Sequence, residues 1–139
     1  MESVTKFFKY VDVNGGFLNN KDKVRSFFKL LSEQKVNEAF ATYVSEEFKH
    51  HNQHTKAGRQ SFIEGATDAH NQFPLMTIDI KHIFEDGDFV ITHSLVKMNP
   101  EHEGLVCVHI SRFQQGKISE FWDVATPMIQ EIVNTDGVF

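Results

Sequence analysis

Apolar positions recur at helical spacing through the first half of the chain and alternate through the second. Val24, Phe27, Phe28 and Leu31 fall on one helical stripe. Asn20 is a candidate N-cap for that helix, and Asp22 suits the positive end of its dipole. Val36, Ala39, Phe40 and Tyr43 mark a second, shorter helix, so the two form a helical hairpin. The segment from Phe48 to Asn52 reads as extended. Gly58 precedes a third helix carrying Phe62, Ile63, Ala66, Ala69 and Phe73, and Pro74 stops it. Upstream of all these, Val4, Phe7, Phe8 and Val11 also keep helical spacing until Gly15 and Gly16 interrupt it. Residues 1–19 are therefore expected to be an arm or short helix, and residues 20–139 a single domain.

Beyond Pro74 the period changes to two. Ile78 and Ile80 alternate with Thr77, Asp79 and Lys81, predicting a strand to Phe84 and a turn over Glu85–Asp88. Strands follow over Phe89–Met98, Leu105–Phe113 and Lys117–Val124, separated by a polar loop and by Gln114-Gln115-Gly116. The tail beyond Ala125 has no clear period. Helices first and hairpin-linked strands afterwards predict an α+β fold. A long sheet with helices on one face must curl around them, giving a cone-shaped α+β barrel with an internal pocket.

The last hairpin sets which side chains share the inner face. A two-residue loop requires positive φ at Gln115 as well as Gly116, which Gln disfavours. The expectation is therefore a three-residue loop with a bulge at Gly116. His109 then lies opposite Phe121 and Cys107 opposite Asp123. His109, Phe121 and Asp123 share a face, whereas a one-residue slip brings Trp122 to His109. In the preceding strand Phe89, Ile91, His93 and Leu95 share a face, but the sequence does not relate it to the first.

Composition narrows the functional classes. At 139 residues the chain has the size of one domain, and 40% apolar against 24% charged residues marks it as globular. Fourteen Phe suit a thick core or an aromatic-lined cavity. A net charge of −5 argues against nucleic acid as partner. One Cys excludes an intrachain disulfide and a Cys-based zinc cluster, and Cys107 is expected to be a small buried hydrophobe. No window suits a membrane span or a leader peptide, so a cytoplasmic protein without membrane contact is expected.

Several segments resemble the SnoaL-like family. Phe48-Lys49-His50-His51-Asn52 resembles its aromatic-x-x-His-Asn segment. Gly87-Asp88-Phe89-Val90-Ile91-Thr92-His93-Ser94 resembles its Gly-Asp-x-Val-x-x-His hairpin. The longest match, Ile110 to Val124, is similar to the family's Phe-Arg-x-x-x-Gly-Lys-Ile-x-Glu-His-Trp-Asp-Val block, and Asn134–Phe139 resembles its usual ending. The resemblance implies a nuclear-transport-factor-like cone of three helices on a bent, mostly antiparallel mixed sheet, often a homodimer. It also implies acid/base chemistry, as in polyketide cyclases that close a ring by aldol condensation with a carboxylate and no metal or cofactor. Relatives include isomerases, dehydratases and non-catalytic binders, so fold does not settle function. Two positions depart from the pattern: the family often has His where this chain has Phe121, and Asp where it has His109.

Aldol or enol chemistry needs a base beside a carbon acid and a donor at the developing enolate oxygen. Asp123 is the candidate base, its pKa expected to be raised by desolvation among Phe rings; otherwise it merely ends a strand. His93 and His109 are candidates for positioning substrate or stabilising an enolate, against ordinary structural roles; His109 has the further option of pairing with Asp123. His51 and Asn52 are candidate donors or simply a polar strand edge. Phe121, Trp122 and Tyr43 are candidate pocket walls, with core or interface packing as the alternative for Trp122 and Tyr43. Glu120 is expected to pair with Arg112 across strands. His50, His51 and His54 cluster, but in an extended segment their spacing does not favour a metal, and none is expected. Three functions stay open: a cofactor-independent enzyme acting on a small hydrophobic carbonyl compound, a binder of such a molecule, or an assembly domain.

Overall fold

The computed structural model describes residues 17–139; the expectation for the arm containing Val4, Phe7, Phe8 and Val11 lies outside them. Three helices, α1 (Asn20–Ser32), α2 (Val36–Tyr43) and α3 (Arg59–Gln72), pack on one sheet. Its strands are β1 (Val44–His51), β2 (Thr77–Asp86), β3 (Phe89–Lys97), β4 (Leu105–Gln114) and β5 (Lys117–Pro127), in the order β1-β5-β4-β3-β2. Only β1 runs parallel to its neighbour, so the sheet is mixed, as expected. It is an open sheet with β1 and β2 at its edges, not a closed barrel.

The helical stripes read from the sequence are the buried ones: Val24, Phe27, Phe28 and Leu31 on α1, and Val36, Ala39, Phe40 and Tyr43 on α2. The cap of α1 is Asn19 rather than Asn20; its Oδ1 accepts the Asp22 backbone N–H at 2.8 Å. Phe27, Phe40, Phe48, Phe62 and Phe121 meet edge-on or tilted at centroid separations of 5.4–6.4 Å. Of these, Phe62 is half-buried, and each of the four buried rings contributes about 1.5–3 kcal/mol. This cluster fills the space between helices and sheet, the thick core that was one of the two expectations for so many Phe.

The β4–β5 hairpin departs from the expected loop. Gln114 pairs with Lys117, leaving the two-residue loop Gln115-Gly116 with φ of 52° and 77°. The bulge sits instead at Ser119, whose hydroxyl donates to the Arg112 carbonyl at 3.1 Å. Beyond it His109 lies opposite Asp123 and Ser111 opposite Phe121. The pairing differs from expectation by two positions, and an even shift preserves the face. His109, Phe121 and Asp123 therefore still share the inner face. Lys23 of α1 donates from Nζ to the Gly116 carbonyl at 2.9 Å, tying the turn to the helices.

The outer face of the sheet leaves Phe84, Phe89, Ile91 and Val124 exposed. Cys107 is buried, as expected. Among the described residues, no helix is long and apolar enough to cross a membrane.

Candidate active site

Three strands converge on Asp123. β4 supplies His109 directly opposite it, and parallel pairing of β1 with β5, His50 beside Phe121 and His51 beside Trp122, carries Asn52 to its other side. Asn52 Nδ2 donates to Asp123 Oδ2 at 2.9 Å, and His109 Nε2 lies 3.2 Å from Oδ1. The Asn52 amide is itself fixed. Its Oδ1 accepts the backbone N–H groups of His54 at 2.6 Å and Thr55 at 3.2 Å, so its NH2 must face the carboxylate.

His109 is held as tightly. Its ring lies 5.1 Å from Phe28 and stacks on Phe121 at 5.2 Å, and only 10% of its side chain is exposed. An imidazole nitrogen facing a carboxylate carries its proton there, so the other ring nitrogen, Nδ1, points away from Asp123. That Nδ1 is buried without a hydrogen-bond partner.

Burial pushes the Asp123 carboxyl upward, as desolvation of a charge must. Hydrogen bonding to His109 and Asn52, with the charges of His109 and His50, outweighs it, so the pKa is held below the ordinary Asp value. The raised pKa expected from the Phe-rich surroundings is thus corrected: the rings are present, but so are two donors.

The carboxylate opens onto a cleft of about 510 Å³ lined by His50, Asn52, Gln53, Thr55, Trp122 and Asp123 among others. His50 lines the cleft as well, although the sequence weighed it only as a metal ligand. Its Nε2 bonds the Lys56 carbonyl at 2.8 Å and its ring stacks on Phe48. Strand alternation was the available signal, because Phe48, His50 and Asn52 share one face while His51 points to the other.

Several expected site residues lie elsewhere. His51 turns to the outer face, stacking on Trp122 at 5.1 Å and meeting Glu120 at 2.7 Å, yet both rings still line the cleft, as expected of them. Glu120 also pairs with Arg112 at 2.9 Å, as expected. His93 is opposite Val108, and it is Thr92 that faces His109, so His93 projects from the outer face away from Asp123. Phe121 is core, 2% exposed, and walls the site only through its stack on His109. Tyr43 is buried on α2 beside a separate depression with Ser26, Leu30 and Thr42. Among the described residues no three His, Cys, Asp or Glu side chains converge as a metal site.

Comparison with known proteins agrees with this architecture. No curated protein sequence matches the chain significantly. An uncharacterised cystatin-fold protein from Novosphingobium aromaticivorans superposes with a TM-score of 0.66 at 17% identity, over 77% of this chain and 98% of that one. An NTF2-like protein of unknown function from Cytophaga hutchinsonii gives 0.65 at 15% identity, over 78% and 91%. A SnoaL-like polyketide cyclase from Agrobacterium tumefaciens gives 0.64 at 15% identity, over 76% and 89%. At these identities the likeness shows the fold alone. The sequence match is to the SnoaL-like domain and covers residues 24–121, well over half of the chain. The chain belongs to the SnoaL-like domain family.

Proposed function

We propose that the protein is a cofactor-independent acid/base catalyst acting on a small, mainly apolar carbonyl compound, with Asp123 as the base. The observation that carries this reading is the Asp123 carboxylate, held by His109 and Asn52 at the cleft of about 510 Å³. Ionised and partly water-exposed, Asp123 is a weak base in the open cleft. A substrate that covers it removes that water and raises its proton affinity at the moment of reaction. Trp122, Val124 and Ala57 supply apolar wall, while Gln53 and Thr55 supply donors for a developing enolate oxygen. His109 acts by fixing the carboxylate rather than by touching substrate.

The test is exchange of a carbon-bound proton. The protein is incubated in D2O with apolar 1,3-dicarbonyl compounds and loss of the α-proton signal is followed by NMR. Wild type exchanges faster than buffer, and Asp123→Asn loses about 10²- to 10⁴-fold of that rate. A second reading, binding without turnover, is favoured by the lowered Asp123 pKa, which weakens it as a base. Compounds that perturb cleft signals but exchange no faster than in buffer would establish that reading and exclude catalysis of this kind.

A further inference from the structure

On the opposite face of the sheet, His82 of β2 and His93 of β3 stand directly across from each other with their Nδ1 atoms 3.2 Å apart. Their ring planes differ by 18° and their centroids are 5.4 Å apart. That centroid separation is close to the Nδ1···Nδ1 distance plus one ring radius at each end. The two nitrogens therefore lie between the rings and aim at each other. One Nδ1–H donates to the other's lone pair, so both Nδ1 positions serve one shared ligand, at present a proton.

A β-bulge creates this arrangement. Ile80 pairs with Ser94, and continuing that register puts Lys81 opposite His93. The extra residue at Lys81 brings His82 there instead. Both imidazoles are also braced from outside the pair. His82 stacks on Phe84 at 6.3 Å, and the Phe139 ring lies 4.9 Å from His93. Lys81, the bulge residue beside His82, has its charge engaged by Asp79 at 2.7 Å.

From this geometry we propose that His82 and His93 form a two-imidazole site for a borderline divalent transition metal, zinc in the first instance. With Zn–N bonds of about 2.0–2.1 Å, a tetrahedral angle places two ligand nitrogens about 3.3 Å apart. The pair already holds nearly that separation, and turning each ring by about 35° points both lone pairs at an ion in place of the shared proton. Imidazole donors select zinc, nickel or copper and not magnesium or calcium, which take oxygen. Two protein ligands leave the remaining coordination positions to water, so the ion exchanges readily. The site is separate from Asp123 and independent of the proposed catalysis.

The test is a zinc titration of the full chain, followed through the ring nitrogen signals of all its histidines. His82 and His93 are expected to shift together, saturate at one ion per chain and return on adding EDTA, while magnesium has no effect. His82→Gln, at an exposed position, and His93→Gln each abolish the saturable response while melting as the wild type does without zinc. The proposal is overturned if the two rings do not respond together, if His50, His51 and His54 respond at lower zinc, or if His82→Gln binds zinc as well as the wild type.

Discussion

The contact between His109 and Asp123 can be measured by a double-mutant cycle with Asp123→Asn, His109→Phe and the pair. Hydrogen bonds to charged groups are worth about 1.5–3 kcal/mol. The 3.2 Å separation is at the long limit for N–H···O, and 24% of the Asp123 side chain is exposed, so water screens part of the attraction. The expected coupling at neutral pH is therefore about 1–2 kcal/mol, in the range for residues in direct contact. Asp123→Asn alone costs about 2–3 kcal/mol, because His109 and Asn52 lose a charged acceptor. For a chain of this size each kilocalorie lowers Tm by about 3–5 °C. The pH dependence follows from the direction of the shift. The folded-state pKa of Asp123 lies below its unfolded value. Its contribution is thus complete above the ordinary carboxylate range and is lost as pH falls through the folded value. Urea denaturation of the four proteins at neutral and acid pH supplies the numbers. A coupling within about 0.3 kcal/mol of zero at neutral pH, or one that persists unchanged in acid, refutes the argument.

Two further outcomes are expected. Gln115 holds φ at 52° in a two-residue hairpin loop that favours Asn-Gly. Gln115→Asn should raise stability by about 0.5–1 kcal/mol in thermal melts, and a loss would show that the Gln side chain has a role of its own. Burial, aided by the nearby Asp123 charge, pushes the Cys107 thiol up to about 12. A thiol reagent at pH 8 should therefore label Cys107 only at the unfolding rate; labelling as fast as a free thiol would contradict its buried state.

The helices were legible because their signal is local: each stripe of Val, Leu and Phe buries what the period says it must. The shared face of His109, Phe121 and Asp123 was legible too, since only an odd shift can break it. Two irregularities were not. The loop chose positive φ at Gln115, and Ser119 took the bulge assigned to Gly116, which moved His109 from Phe121 to Asp123. The face of His93 depended on the register between β3 and β4 across a loop of undetermined geometry, and it came out opposite to that of His109. Asn52 reaches Asp123 through a parallel pairing some seventy residues apart, which no local pattern encodes. The direction of the Asp123 shift failed for the same reason. Its apolar surroundings are legible in the number of Phe residues, whereas its donors arrive from β4 and from the end of β1.

The exchange of residues at positions 109 and 121 bears directly on the chemistry. The resemblance implies Asp where this chain has His109, and that position is the direct cross-strand partner of Asp123. Two carboxylates facing each other cannot both ionise easily, so they hold a shared proton and raise each other's proton affinity. With imidazole at 109 the effect reverses, and Asp123 is held ionised. His109→Asp should therefore invert the effect: the two carboxyls titrate in coupled steps, and the upper step lies above the ordinary carboxyl value. A raised folded-state pKa contributes stability that is present at low pH and lost as pH rises through that value. Wild type should thus weaken as pH is lowered through the carboxylate range, while the variant, relative to it, gains. Carbon-13 NMR of the side-chain carboxyls measures the titration and chemical denaturation the slope. If neither carboxyl of the variant titrates above the ordinary value, the two share no proton, and the residue at 109 has no say in whether this site behaves as an acid or a base.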